Sequence, residues 1–176
     1  YGYPIVSMGS HVSMCPNHQL NRNTPLHTRA NVAYFGTFGY ELDLNRLTPE
    51  EQEEVKKQIR FMKDHRELIQ FGDFYRLQSP FENNETAWMV VSPDRRQALV
   101  GWYRILNTVN DRFTRLSLTG LDPDLCYKNS ADGQLYYGDE LMNAGLVTSD
   151  SSAGEPVPGM EISCDFDSRL YLWEAE

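Results

Sequence analysis

The first apolar run, Ile5-Val6-Ser7-Met8-Gly9-Ser10-His11-Val12-Ser13, is made of small and apolar residues without strict alternation. Such a run predicts a strand covered on both faces, as in a parallel sheet. A Pro- and Asn-rich loop follows, from Cys15-Pro16-Asn17-His18-Gln19 to Asn23. Thr24-Pro25 then opens a helix, with Thr24 as N-cap and Pro25 in the first helical position. Leu26, Ala30, Ala33 and Tyr34 recur at helical spacing, and Gly36 and Gly39 are expected to end the segment. The result is a strand–loop–helix unit. Its strand needs parallel neighbours, and the pattern downstream offers none.

Thr48-Pro49-Glu50-Glu51 is the clearest local signal in the chain. Thr48 is placed to cap a helix, Pro49 sits at its first position and Glu51 completes a capping box. The acidic start Glu50 to Glu54 suits the helix dipole and otherwise reads as a solvated face. Val55, Ile59, Met62 and Ile69 form one apolar stripe, and Glu53 precedes Lys57 by four residues. The helix should reach about Gln70 and stop at Gly72.

Beyond Gly72 the period changes to that of short strands and turns. Strands are expected at Phe74 to Leu77, Thr86 to Val91, Ala98 to Leu106, Arg112 to Leu118 and Gln134 to Tyr137. Ser92 to Arg96 reads as a hairpin loop. Thr86 to Val91 and Ala98 to Leu106 are apolar on both parities and should be central. Ser149 to Gly159 reads as a loop. From Met160 to Trp173 the chain alternates, with Met160, Ile162, Cys164, Phe166, Leu170 and Leu172 on an expected dry face. Glu161, Ser163, Asp165, Asp167 and Arg169 fall on an expected wet one. The fold class is therefore α+β: a parallel strand–helix unit followed by a mainly antiparallel β-sandwich. The domain boundary is placed near Leu44 to Pro49, with 1–47 as the strand–helix unit, 48–71 as a connecting helix and 72–176 as the β-domain.

Composition narrows the functions open to such a chain. The 176 residues carry 16 Lys+Arg against 25 Asp+Glu, a net charge of −9. That balance argues against a protein built to hold nucleic acid, because phosphate contacts need a basic face. A mean hydropathy of −0.54 and the lack of any long apolar run argue against a membrane span. Tyr1-Gly2-Tyr3-Pro4 carries no charged n-region and reads as an internal starting point rather than a signal peptide. Cys15, Cys126 and Cys164 are odd in number and far apart, so they form no disulfide framework. Cys164 is expected to be a buried thiol, and a reducing compartment, the cytoplasm, is inferred.

Candidate chemistry is sparse. His11, Cys15 and His18 are metal-type ligands, but Pro16 disfavours a helix that would gather them and no further pair completes a zinc set. No metal or cofactor is expected. Ser10, His11, Ser13, Asn17 and His18 fall after the first strand, at the end where parallel β/α architectures build their sites. They either line a polar pocket or satisfy the backbone of an irregular loop. Asp165 and Asp167, with Arg169 beside them, read as an ion-pair ladder rather than a catalytic couple. No nucleophile elbow is present. Trp102, Tyr103, Tyr136, Tyr137, Tyr171 and Trp173 lie on expected strands, as core packing or as a face on which sugars could stack. On these residues alone, no self-sufficient active site exists.

Several longer motifs carry a resemblance. Ser7-Met8-Gly9-Ser10-His11-Val12-Ser13, Cys15-Pro16-Asn17-His18-Gln19, Thr24-Pro25-Leu26 and Thr28-Arg29 come first. Gly36-Thr37-Phe38-Gly39-Tyr40-Glu41-Leu42-Asp43-Leu44 and Ile69 to Leu77 follow. Gly120-Leu121-Asp122-Pro123, Gly138-Asp139-Glu140-Leu141-Met142 and Ser168-Arg169-Leu170-Tyr171 complete the set. Together and in order, the chain resembles the C-terminal part of glycoside hydrolase family 36, the retaining α-galactosidases. It departs at Met14, and at the start, where Tyr-Gly and Tyr-Pro abut without their usual separation.

The resemblance implies a final strand and helix of a (β/α) barrel, whose other strands lie upstream, followed by a C-terminal antiparallel domain. It implies hydrolysis of terminal α-galactosides such as melibiose and raffinose-type sugars by double displacement. The two catalytic aspartates of the family sit in motifs that this stretch lacks, so no catalytic residue is carried over and the stretch alone should be inactive. Gly9, Ser10 and His11 would shape the pocket rim. The implied partners are the upstream barrel and, through the complete enzyme, an α-galactoside. A homo-oligomer, a tetramer on the family's pattern, is also implied, with no nucleic acid and no membrane. The alternative is a non-catalytic carbohydrate-binding or structural β-sandwich module.

Overall fold

Pro49–Phe71 (α2) forms as its start signal dictates. The Thr48 side chain accepts from Glu51 N at 3.3 Å, and Glu51 Oε2 accepts from Thr48 N at 2.9 Å. Both ends of the capping box thus satisfy donors that the helix itself cannot. Val55, Met62, Leu68 and Ile69 are buried, with Gln58 between them, while Ile59 stays at the surface. Glu53 pairs with Lys56, one turn position earlier than the expected Lys57. This is a computed structural model, and it describes residues 3–107, 114–148 and 165–176.

The chain divides into two units, Tyr1–Gly72 and Asp73–Glu176. In the first, the opening apolar run splits. Ile5–Ser7 is a single 3₁₀ turn, and the strand proper is Gly9–Ser13 (β1). Helix α1 spans Leu26–Ala33, one residue later than expected, so Pro25 rather than Thr24 stands at its cap. Instead of capping α1, Thr24 offers its carbonyl to Arg29 Nε at 3.0 Å.

A larger correction comes next. The chain does not pass from α1 straight to the connecting helix; it first makes a strand, Thr37–Glu41 (β2), that pairs in parallel with β1. The strand read as lacking any downstream parallel neighbour therefore has one. The strand–helix unit is not closed by its helix, because another strand follows. Neither Gly36 nor Gly39 stops a helix as expected: Gly36 serves the crossover, and Gly39 lies within β2. A Cβ on Gly36 would lie 2.6 Å from Ser10 Cβ and 2.9 Å from the Met8 carbonyl. Only a bare backbone lets the chain return that close to β1. Thr37 N then donates to the same Met8 carbonyl at 2.9 Å and sets the register.

Packing in this unit is on one side of the strand pair. Val12 is fully buried, and Leu26, Ala30 and Ala33 of α1 are buried beside it. Tyr34 stacks on Phe38 at 4.8 Å, and Phe38 meets Tyr40 edge-on at 5.3 Å. The Tyr40 hydroxyl donates to Gln58 Oε1 of α2 at 2.8 Å. Burial, with the Glu54 charge adding to it, pushes the Tyr40 phenol up to about 12.

The second unit is built on six antiparallel strands. They are Asp73–Gln78 (β3), Glu85–Val91 (β4), Gln97–Arg104 (β5), Cys126–Asn129 (β7), Leu135–Tyr137 (β8) and Asp167–Ala175 (β10), in the order β3-β4-β5-β10-β7-β8. A smaller antiparallel pair joins Arg115–Leu116 (β6) to Leu146–Val147 (β9), and Gly138–Asn143 forms a short helix (α3). The strands apolar on both parities, β4 and β5, are indeed paired on both sides. One face of the sheet carries Ala87, Met89, Val91, Ala98, Val100, Trp102, Tyr127 and Trp173, packed with Leu116, Leu118, Leu121 and Leu141 into one core. Burying each of the large side chains contributes about 2–3 kcal/mol.

The parity expected for the final strand is reversed. Tyr171 lies opposite Val100 and Trp173 opposite Ala98, so the odd positions, read as wet, face the core. Leu170 and Leu172 lie on the other face and are half-buried. Two features hid this. β10 is an interior strand with apolar neighbours on both faces, and Phe166, at φ 56°, breaks the alternation just before it. Met160 to Cys164, including the expected buried thiol, the 149–159 loop, and Arg112 and Phe113 lie outside the described residues. The residues read as an Asp165–Asp167–Arg169 ladder make tertiary contacts. Asp165 accepts from Asn107 N at 2.7 Å, while Arg169 lies over the Trp102 ring and donates to the Thr148 carbonyl.

A charged pair, Glu85 and Arg104, is buried inside this unit. Glu85 Oε1 accepts from Arg104 through Nη2 at 2.6 Å and Nε at 3.1 Å, and Glu85 Oε2 accepts from Trp102 Nε1 at 3.4 Å. The two-pronged contact and the indole satisfy a carboxylate that burial would otherwise penalise.

Candidate functional site: the helix-free face of the parallel pair

A strand alternates its side chains between two faces. On β1 and β2 the even positions, Val12, Phe38 and Tyr40, face the aromatic and helical packing described above. The odd positions share the other face: Gly9 opposite Thr37, His11 opposite Gly39, Ser13 opposite Glu41. Among the described residues no helix of the unit covers this face, and Gly9, His11, Thr37 and Glu41 are exposed on it. It is polar and bare. Nothing lies within 4 Å of the position a Cβ would take on Gly9 or Gly39.

The missing side chain at Gly39 lets His11 reach along the face to the next odd residue. His11 Nε2 lies 2.6 Å from Glu41 Oε2, and both side chains are half or more exposed. At the same strand end, Arg29 of α1 donates through Nη1 to the Ser13 carbonyl at 2.5 Å and through Nε to that of Thr24. The guanidinium thereby ties the end of β1 to the start of α1.

The residues picked from sequence are distributed differently from one another. Gly9 and His11 share the bare face. Ser10 is on the opposite parity, with its Cβ against Gly36. Asn17 serves its loop, with its side-chain oxygen accepting from Gln19 N at 3.0 Å and Leu20 N at 3.1 Å. His18 is exposed, and Cys15 Sγ faces Asn23 Oδ1 at 3.6 Å. Among the described residues no three His, Cys, Asp or Glu side chains gather as a metal would require. The aromatics are largely core: Trp102, Trp173 and Tyr103 are buried, Tyr136 and Tyr171 half-buried, and Tyr137 alone of the six is exposed. No helix among the described residues is long and apolar enough to cross a membrane.

Sequence reasoning missed Glu41 as a member of this face. The signal was present: Thr37-Phe38-Gly39-Tyr40-Glu41 alternates aromatic and small or polar positions. Read as a helix stop and its sequel, that alternation went unused. Glu41 is the one carboxylate among the six residues of the face, so these strands hold no carboxylate pair.

Comparison with known proteins agrees with this architecture along both units. Residues 85–172 match the glycosyl hydrolase family 36 C-terminal domain, and residues 1–72 match the melibiase domain. The chain is 53% identical over 145 residues to α-galactosidase AgaA of Geobacillus stearothermophilus, covering 82% of this chain and 20% of that protein. To α-galactosidase 1 of Pediococcus pentosaceus it is 44% identical over 173 residues, covering 98% of this chain and 22% of that protein. The chain thus spans about a fifth of the length of these relatives. Among solved structures, a variant of AgaA in complex with raffinose superposes with a TM-score of 0.89 at 46% identity, over 99% of this chain and 23% of that one. The α-galactosidase of Lactobacillus brevis gives the same TM-score and identity. From the bare parallel pair to the six-stranded sheet, the chain belongs to glycoside hydrolase family 36.

Proposed function

We propose that this stretch is the C-terminal part of an α-galactosidase that hydrolyses terminal α-D-galactosides of the melibiose and raffinose type. In this reading β1, α1 and β2 are the last elements of a (β/α) barrel. The unit from Asp73 onward is the C-terminal β-sandwich. The whole enzyme is cytoplasmic and homo-oligomeric, and it works by double displacement. One carboxylate attacks the anomeric carbon while a carboxylic acid protonates the departing glycosidic oxygen. Water then releases the galactosyl group, with the acid now acting as base. Both acids belong to the barrel upstream. Gly9 and His11 face its interior, and Ser10 backs them from the helix side.

The observation that carries this reading is the helix-free face of β1 and β2. A two-stranded parallel sheet is not stable by itself, and one flanked by helices on a single side suits a barrel wall. The raffinose named with the AgaA structure supports the substrate class.

The test compares the full-length gene product with the 176-residue chain on an aryl α-galactoside. Turnover is expected from the first and none from the second. Turnover by the short chain, or none by the complete one, overturns the reading.

A further inference from the structure

Between β1 and α1 the chain makes one long connection, residues 14–23. It leaves from the carboxyl end of a parallel strand, the end at which β/α barrels build their sites. A single guanidinium closes its neck: Arg29 donates to the Ser13 carbonyl before the loop and to the Thr24 carbonyl after it. Within the loop, Asn17 N donates to the Arg22 carbonyl at 3.0 Å and Asn21 N to the Asn17 carbonyl at 2.8 Å. The Asn17 side chain holds the Gln19 and Leu20 amides. With its ends drawn together and its backbone groups satisfied internally, the segment is a compact Ω-loop rather than a slack tether.

The tip that this order presents faces solvent. His18, Gln19 and Leu20 are exposed, Leu20 by 67%, and among the described residues the His18 and Gln19 side chains make no hydrogen bond or ion pair. Groups held in place before a ligand arrives lose little further freedom on binding it. An enzyme that removes a terminal galactose takes that ring into the closed end of its pocket. The remaining sugar units then lie towards the mouth, among the βα loops. An imidazole and an amide beside an apolar side chain match such a unit, which offers hydroxyls at its edge and C–H groups on its face.

We propose that the 14–23 loop is the rim that recognises the sugar units beyond the terminal galactose. His18 and Gln19 hydrogen-bond their hydroxyls, Leu20 packs on a ring face, and Arg29 is a positioning residue that holds the loop by both ends. The inference rests on the reading above, that the first unit closes the barrel of an α-galactosidase.

The test sets raffinose against α-galactosyl fluoride, which carries no sugar beyond the galactosyl group, in the full-length enzyme. The quantity read is the ratio of kcat/KM on raffinose to kcat/KM on the fluoride. In a His18→Ala, Gln19→Ala double variant it is expected to fall about tenfold, the worth of one hydrogen bond, through KM on raffinose. Leu20→Ala should lower it about threefold. Arg29→Ala should lower it about fivefold by freeing both ends of the loop, and Arg29→Lys, which reaches one carbonyl at a time, should regain part of that loss. A brace that merely supports the fold would depress both substrates together. The tip side chains are exposed, so the double variant decides the matter even where an Arg29 variant does not fold. An unchanged ratio in the double variant, or equal losses on the two substrates, overturns the proposal. So does a change in the mass of the assembly in Leu20→Ala with the ratio unchanged, which would make the tip a contact between copies of the chain. Failure of the unmodified enzyme to cleave either substrate would instead remove the reading beneath it.

Discussion

The two units reach stability by opposite routes. The sheet of the second unit has a closed interior: twelve buried side chains from β4, β5, β7, β10 and the segments around β6 and α3 form one continuous cluster. The first unit invests in edges and ends. Its parallel pair has one packed face and one open face, its best-defined feature is the capping box of α2, and Met8, Val32, Leu44 and Phe71 remain exposed. A unit that keeps its own core needs little from its surroundings. A unit with an open polar face is shaped by what that face must meet.

This contrast predicts that single truncations in the sheet outweigh any in the helical unit. Trp173→Ala removes the indole at the centre of the cluster and should cost about 4 kcal/mol, read as a lowered urea midpoint by tryptophan fluorescence and far-UV dichroism. Glu85→Ala leaves the Arg104 guanidinium buried without its carboxylate and should cost about 3 kcal/mol in the same titration. A joint replacement of Glu85 and Arg104 by methionines should recover most of that loss. Thr48→Ala removes one arm of the capping box and should cost about 1 kcal/mol. If Thr48→Ala proved as damaging as Trp173→Ala, the division into a core-held and an end-held unit would be wrong.

How far the fold could be read in advance follows the same division of forces. The α2 start was legible because capping is local: Thr48, Pro49 and Glu51 carry it within four residues. The centrality of β4 and β5 was legible because both parities were apolar. The parallel β1–β2 pairing was not, because glycine marks both helix ends and close backbone approach, and Gly36 does the latter. The face of β10 was misread because alternation reports which residues differ, not which side is buried when both sides are covered. Of the site, Gly9 and His11 were visible through family resemblance. Glu41 required the register, since its nearness to His11 depends on a crossover the pattern did not reveal.

The placement of β10 between β5 and β7 bears on how the protein is made. A ribosome releases β3, β4 and β5 as a meander, but the neighbour β5 needs on its far side arrives only after β6 to β9 have been translated. Until then a nascent chain carries Ala98, Val100 and Trp102 on an unfinished edge, the kind of surface that trigger-type holding chaperones recognise. A frameshift upstream of Asp167 would therefore do more than shorten the tail: it would leave the sheet in two pieces, each with a sticky rim.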